Sequence, residues 1–254
     1  MIVKLTNESI DWFYEKKIFS HSRSNISTIH VGSEIEFLND LTIEPYTGFY
    51  PHVKKIIKAG AFSYTHSVIT HPLQFQMGRY CSIASDVTHR GYNHQTSFLS
   101  TSPFGYDPNE SIINSFIMDD CPNFELNLNH APQGLVAKVE NDVWIGAGCV
   151  LYPDIIISTG SIIATHSVLT KSVGPYEIWG GNPAKLIKKR FDDETIKLLL
   201  ETQWWDYKFT DFKALSICNP LEFAEKFLIE KNNFNKYTPE LIKIYEMPAE
   251  ILSN

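Results

Sequence analysis

The chain has 254 residues, 43% hydrophobic and 20% charged, enough for one large core or two small ones. A formal net charge of −7 argues against a general nucleic-acid-binding surface, and no apolar run approaches the roughly 18 residues of a membrane span. The N-terminal MIVKLTNESIDW carries charged and polar groups early and leads into no secretory apolar core, so a cytoplasmic protein is expected.

Residues 1–27 read as irregular, with one short helix in ESIDWFYEKKIF. From Ile29 to Tyr50 apolar and polar residues alternate, as in strands. This stretch fits either a degenerate start of the repeat described next or a separate sheet layer. Between Ala59 and His89 a six-residue rhythm begins: Met77 and Ile83 are six apart, and the small Gly78 and Ala84 follow them. From His89 to Leu135 the rhythm is lost. An irregular insertion of this length within a repeat is usually functional. Its Asn, Ser, Asp and aromatic content is that of a folded loop rather than a Gly/Ser tether.

The rhythm returns at Val139 and stays in register through Ile145, Leu151, Ile157, Ile163 and Leu169. A helix repeats near 3.6 residues and a strand near 2, so a period of six belongs to neither. It belongs to stacked triangular coils with three six-residue turns per coil. Val143, Cys149, Ile155, Ser161 and Ser167 stand two residues before the anchors, and most are small, as a tight corner requires. The repeat ends at PYEIWGGNPAKLIKKRF, where Gly180, Gly181 and Pro183 break the pattern. A cap must then cover the last coil. FDDETIKLLLETQWW predicts a helix with Asp192 or Asp193 as N-cap and Ile196, Leu199 and Leu200 as its apolar stripe. LEFAEKFLIEK predicts a second helix. TPELIKIYEM predicts a third, with Thr238 as N-cap and Pro239 in its first turn.

Of four scattered cysteines, Cys81 and Cys149 fall at small-corner positions and read as buried free thiols. Nine histidines without metal-ligand spacing lead to an expectation of no metal.

GRYCSIASDVT, then the loop with NHQTSFLSTSPF, then NDVWIGAGCVL, then GGNPAKLIKKRF and WWD stand in one order. Over residues 59–210 this set resembles the left-handed β-helix acyltransferases of the xenobiotic acetyltransferase branch, which includes type B chloramphenicol, streptogramin and polysaccharide O-acetyltransferases. The resemblance implies a mainly β fold: a left-handed parallel β-helix of hexapeptide repeats with an extended active-site loop and a C-terminal helical cap. The expected division is an N-terminal extension at 1–58, the β-helix domain at 59–190 with its excursion at 89–135, and a C-terminal helical segment at 191–254. The resemblance also implies an acetyl-CoA-dependent transferase, usually a homotrimer with sites between subunits.

Acyl transfer to a hydroxyl needs a base and donors for the developing oxyanion. The resemblance points to His94 as the base, because it follows an Asn in the excursion as the family's catalytic histidine does. His89 and His130 lack the flanking pattern. Trp144 is the second candidate: an indole fits poorly inside a narrow coil, so it should point outward and either donate to the thioester carbonyl or wall the pantetheine path. Gly146, Ala147, Ala164 and Thr165 permit close approach of a pantetheine arm along the coil. Asn182, Pro183, Lys185, Lys188 and Arg190 are the expected nucleotide-end contacts, in the densest basic cluster of an acidic chain. Tyr92, Asn93, Ser100, Thr101 and Phe104 are the expected acceptor contacts. Ser102 lacks the strand–turn–helix setting of a nucleophile. A hydroxyl of a sugar or polysaccharide precursor is the preferred acceptor. The alternatives are an antibiotic acceptor, an amino-sugar amine, or a catalytically silent scaffold.

Overall fold

The computed structural model describes residues 1–20, 29–50, 54–68, 75–90, 94–125 and 137–253. The chain forms two compact units, one of residues 1–90 with 136–254, the other of residues 91–135.

In the larger unit each hexapeptide makes one short strand and one corner. Ala137–Val139, Trp144–Ile145, Val150–Leu151, Ile156–Ile157, Ile162–Ile163 and Val168–Leu169 follow one another at the repeat interval. Pairing is parallel and joins each strand to the third one after it: Val139 faces Ile157, Ile145 faces Ile163, and Leu151 faces Leu169. Eighteen residues therefore make one coil, and the strands collect into three parallel sheets. All six anchors point inward; Val139 is 2% exposed and the other five 0%. The small corner residues are buried with them, and the Cys149 thiol donates to the Ala164 carbonyl at 3.1 Å.

The coil before the excursion stacks directly on the coil after it. Phe75–Met77, Ser82–Ile83 and Thr88–His89 pair in parallel with Ala137–Val139, Trp144–Ile145 and Val150–Leu151. The excursion thus leaves the stack after one complete coil, and the chain re-enters one coil later.

The stack also extends further toward the N-terminus than the six-residue rhythm does. Tyr64–Thr65, Thr47–Phe49 and Ile18–Phe19 continue the eight-stranded sheet. The ambiguous stretch Ile29–Tyr50 does both jobs. Thr47–Phe49 belongs to the coils, whereas Glu34–Glu36 joins a separate antiparallel sheet with Ile2–Leu5. One column of corners runs the length of the stack in the left-handed backbone region: Lys17, Tyr46, Phe62, Tyr80, Asp142, Gly160 and Tyr176. Four of these are aromatic, and the first three of them pack on one another, Tyr46 on Phe62 at 5.8 Å and Phe62 on Tyr80 at 4.9 Å.

The first predicted helix is α1, Asn7–Glu15, capped by Thr6. The smaller unit contains α2, Ser111–Asp120, where no helix was expected. Its N-cap is Glu110, whose carboxylate accepts from the backbone N–H of Ile112 at 2.9 Å. The cap helix is α3, Asp193–Thr202, and Asp192 accepts from Thr195 N–H at 2.8 Å. Ile196 and Leu199 are buried as predicted, and Leu200 is half-buried. Next comes α4, Pro220–Glu230, with Asn219 as N-cap. Phe212, Phe223 and Phe227 form its aromatic core.

The third C-terminal helix does not form. Ile242–Lys243 is a strand antiparallel to Thr42–Ile43, followed by a turn of 3-10 helix at Ile244–Glu246. Ile242 and Ile244 are buried while Leu241 and Tyr245 are exposed, so burial there alternates with period two. A sheet partner overrode the local capping signal. The chain then closes on itself, with Ala249–Ser253 pairing to Ile2–Leu5. All four cysteines are free; Cys81 and Cys149 are buried, and Cys121 and Cys218 are exposed. Among the described residues, no helix is long and apolar enough to cross a membrane, and no group of three His, Cys, Asp or Glu side chains is placed to hold a metal.

Candidate active site

In the smaller unit, His94 is fixed through one ring nitrogen. Its Nδ1 lies 2.6 Å from the Thr101 carbonyl oxygen and 2.7 Å from the Tyr106 hydroxyl. A carbonyl oxygen only accepts, so Nδ1 carries the proton in this arrangement and donates it. The Tyr106 hydroxyl also donates to Thr101 O at 3.3 Å, which closes a three-membered network. In the neutral ring Nε2 is then the unprotonated nitrogen, with its lone pair directed away from these partners. Local turn chemistry builds the cradle. Ser100 Oγ accepts from Ser102 N–H at 3.0 Å, and the 3-10 turn Pro103–Gly105 ends with Tyr106 N–H donating to Pro103 O at 2.9 Å. His94 and Thr101 are exposed, and Phe104 is 43% exposed on the same turn.

His94, Ser100, Thr101 and Phe104 thus occur in one loop. Tyr92, Asn93 and the competitor His130 lie outside the described residues. His89 is on a coil strand paired with Leu151. Tyr106 was not singled out from the sequence. Its only signal there is an aromatic hydroxyl twelve residues after the histidine.

The remaining candidates belong to the larger unit. Trp144 lies in the register row Ser82, Trp144, Ile162, Ile178 and is 54% exposed, so its indole points outward as expected. Gly146 is a packing necessity: a Cβ there would sit 2.7 Å from Thr165 N in the next coil. Ala147 and Ala164 are half-buried, with carbonyls already engaged by His166 N–H and by Ser167 Oγ. Thr165 is exposed.

The basic segment lies on a hairpin. Glu177–Gly181 and Ala184–Lys189 pair antiparallel, and Asn182 and Pro183 form the exposed turn. Lys185 and Lys188 are exposed. Lys189 pairs with Asp193 across one turn of chain.

Arg190 differs from its expected place among free phosphate ligands. Its Nη1 donates to Asp142 Oδ2 at 3.0 Å and to Gly160 O at 2.6 Å, and its guanidinium lies over Tyr176 and Phe191 at 5.3 and 5.2 Å. Burial pushes the Asp142 carboxyl up, and the charge and hydrogen bond of Arg190 pull it part of the way back. Arg190 therefore ties the end of the hairpin to the corner column.

A second polar knot was missed in the sequence. Arg79, in the GRY triplet, donates to both carboxylate oxygens of Glu44 at 2.7 and 2.6 Å, to Trp205 O at 3.2 Å and to Tyr237 O at 3.1 Å. It ties three distant parts of the chain together beside the coil stack.

A family model described as bacterial transferase hexapeptide (six repeats) matches residues 137–171. The chain is 39% identical over 142 residues to a chloramphenicol acetyltransferase of Agrobacterium fabrum, a match covering 54% of this chain and 62% of that protein. It is 39% identical over 133 residues to a probable macrolide acetyltransferase of Lysinibacillus sphaericus, covering 52% of this chain and 68% of that one. A shorter match, 56% identical over 45 residues, is to a virginiamycin A acetyltransferase of Staphylococcus aureus, covering 18% of this chain and 20% of that one. The chain spans less than two thirds of the length of the chloramphenicol relative it matches. A hexapeptide register that closes into three-sided coils, together with identity that extends over two thirds of the macrolide relative, makes this chain a member of the hexapeptide-repeat acyltransferases, in their xenobiotic acetyltransferase branch.

Proposed function

We propose that this chain is an acetyl-CoA-dependent O-acetyltransferase that acts on a hydroxyl of a small antibiotic-like acceptor. The observation that carries this reading is the anchoring of His94 through Nδ1, which leaves Nε2 as a base. Nε2 takes the proton of the acceptor hydroxyl while that oxygen bonds to the thioester carbonyl carbon. The carbonyl electrons move onto oxygen, then return as the C–S bond breaks. The leaving thiolate recovers the proton from Nε2, so the ring ends as it began. The positive charge that develops on the ring is stabilised by the Thr101 carbonyl, an acceptor aimed at Nδ1–H.

The larger unit supplies binding surfaces in this reading. Trp144 offers an exposed indole N–H to the thioester carbonyl or a wall to the pantetheine arm. Lys185 and Lys188 meet the phosphates of the nucleotide end, with Asn182 and Pro183 at the turn beside them. Arg190 holds the hairpin in place rather than touching phosphate. The coils are left-handed and the assembly is a homotrimer, with the His94 loop of one subunit serving a site shared with its neighbour. Its likeness to chloramphenicol, macrolide and virginiamycin A acetyltransferases favours an antibiotic acceptor over the sugar expected from the sequence.

An acceptor screen with acetyl-CoA tests the reading. Thiol release is measured against chloramphenicol, a macrolide, a streptogramin A compound and hydroxylated nucleotide sugars. Turnover on one of the first three supports it. Turnover confined to a sugar returns the acceptor to the sequence-based expectation. Release with none, by a chain that binds no coenzyme A, refutes the enzyme reading.

A further inference from the structure

A cavity of about 290 Å³ in the larger unit has no part in the chemistry above. It is walled by Tyr176, Phe191, Trp204, Phe209, Phe212 and Phe223, and Ile217 stands at it 69% exposed. Leu199 and Pro220 add apolar surface, and Asp142 and Arg190 supply its charged groups. The aromatic rings come from the last corner of the column, the second residue after the hairpin, the segment that joins α3 to α4, and α4 itself. Tyr176 is 1% exposed and is pinned over Gly160, where a Cβ would meet its ring at 2.4 Å. That wall cannot swing in to fill the space.

The polar groups in the lining are only partly used. Arg190 engages Asp142 Oδ2 and Gly160 O through Nη1 alone. Among the described residues, its Nη2 and Nε have no hydrogen-bond acceptor, and nothing donates to Asp142 Oδ1. The two side chains are 26% and 27% exposed, so the pair is neither in bulk solvent nor sealed in the core. An anion entering here meets the carboxylate and a cation meets the guanidinium. A neutral molecule with a donor beside an acceptor satisfies both at once. The walls select for a flat ring, because aromatic side chains gain most from edge and face contacts with another π system. A cavity of this size has room for a bicyclic ring.

We propose that this cavity is a binding site for a neutral amino-substituted heteroaromatic ring of nucleobase type. The ring stacks against Trp204 and Phe209, the accessible rings of the lining, its amino group donates to Asp142 Oδ1, and its adjacent ring nitrogen accepts from Arg190. Such a ring is presented by a free base and also by the adenine of a coenzyme A thioester. The inference stands on the cavity and not on the catalytic reading, so it survives a failed acetylation assay.

The test is calorimetric titration of the full chain with adenine, toluene and benzoate. Adenine should saturate with a Kd of roughly 1 mM or tighter. Toluene should bind at least tenfold more weakly, and benzoate should not bind. Asp142→Asn keeps an acceptor for Arg190 but turns the second oxygen into an N–H donor, so adenine affinity should fall about tenfold or more. Ile217→Trp, at an exposed position that spares folding, should block entry and weaken adenine to a similar degree. Adenine titrated with saturating coenzyme A separates the sources: undiminished binding marks a site for a free base, and competition marks the ring of the donor. The proposal is overturned if adenine shows no saturable binding to about 10 mM. Toluene binding as tightly as adenine, with Asp142→Asn and Ile217→Trp indistinguishable from wild type, overturns it equally.

Discussion

Arg79 offers the sharpest test of how the C-terminal segment is held to the coils. Its side chain is 15% exposed and that of Glu44 16%, so this is a nearly buried, bidentate pair with three further contacts, to Trp205 O, Tyr237 O and Asp206 Oδ1. Arg79→Met removes the cation and leaves the nearly buried Glu44 carboxylate with only the Ala61 N–H still donating at 2.8 Å. Breaking one side of a buried pair costs about 3–5 kcal/mol. Urea unfolding followed by circular dichroism should show a loss in that range. Arg79→Met with Glu44→Gln should recover part of it, with a coupling energy of roughly 1.5 kcal/mol or more. The pH dependence gives a second, independent sign. Burial pushes the Glu44 carboxyl up, but the Arg79 hydrogen bond, the Ala61 N–H and the Arg79 charge outweigh it, so the folded value lies below the ordinary 4.5. The pair's stabilisation is therefore complete above pH 4.5 and is lost as pH falls through the lower folded value. In Arg79→Met burial dominates and raises the folded value, so the deficit should shrink in acid. A loss below about 1 kcal/mol with an unchanged acid profile would refute the idea that this knot fastens the tail.

Three further outcomes follow from the geometry. Gly160→Ala forces a left-handed corner at φ +77 and drives a Cβ to 2.4 Å from the buried Tyr176 ring, so it should cost about 2–5 kcal/mol by thermal unfolding. The Lys185→Ala/Lys188→Ala double variant should weaken coenzyme A binding in a salt-dependent way, whereas Arg190→Ala should lower the melting temperature; calorimetry across salt concentrations separates the two effects. Tyr106→Phe leaves the Thr101 contact in place and should lower kcat about threefold to tenfold with the KM for acetyl-CoA unchanged.

The coils from Val139 to Leu169 were legible because the stacking is one-dimensional: each strand pairs with the strand one coil away at the same register. The earlier coils obey the same stacking but hide it. Tyr46, Phe62 and Tyr80 put large rings at left-handed corners, and they are tolerated because Phe209 and Tyr237 of the C-terminal segment cover Phe62 at 5.3 and 5.2 Å. The rings that cover them lie more than a hundred residues away in the chain, outside any local repeat. The same distance explains Arg190. A run of four basic residues within six positions looks like one electrostatic surface, yet Arg190 turns inward to Asp142 because the hairpin ends at the corner column. Helix α2 carried a local signal in the Ile112, Ile113, Phe116, Ile117 spacing, which the loss of the six-residue rhythm masked. His94 was visible only in its flanking residues. Its tautomer depends on a carbonyl seven residues on, which no residue type encodes.

The central claim is that Nε2 of His94 is the base. The most direct measurement is single-turnover acetyl transfer by wild type and His94→Ala, with the acceptor found in the screen and acetyl-CoA saturating. His94→Ala should slow transfer by roughly 10²–10⁴-fold while coenzyme A affinity and the circular dichroism spectrum stay unchanged. A His94→Ala chain that transfers acetyl at near the wild-type rate would contradict the account.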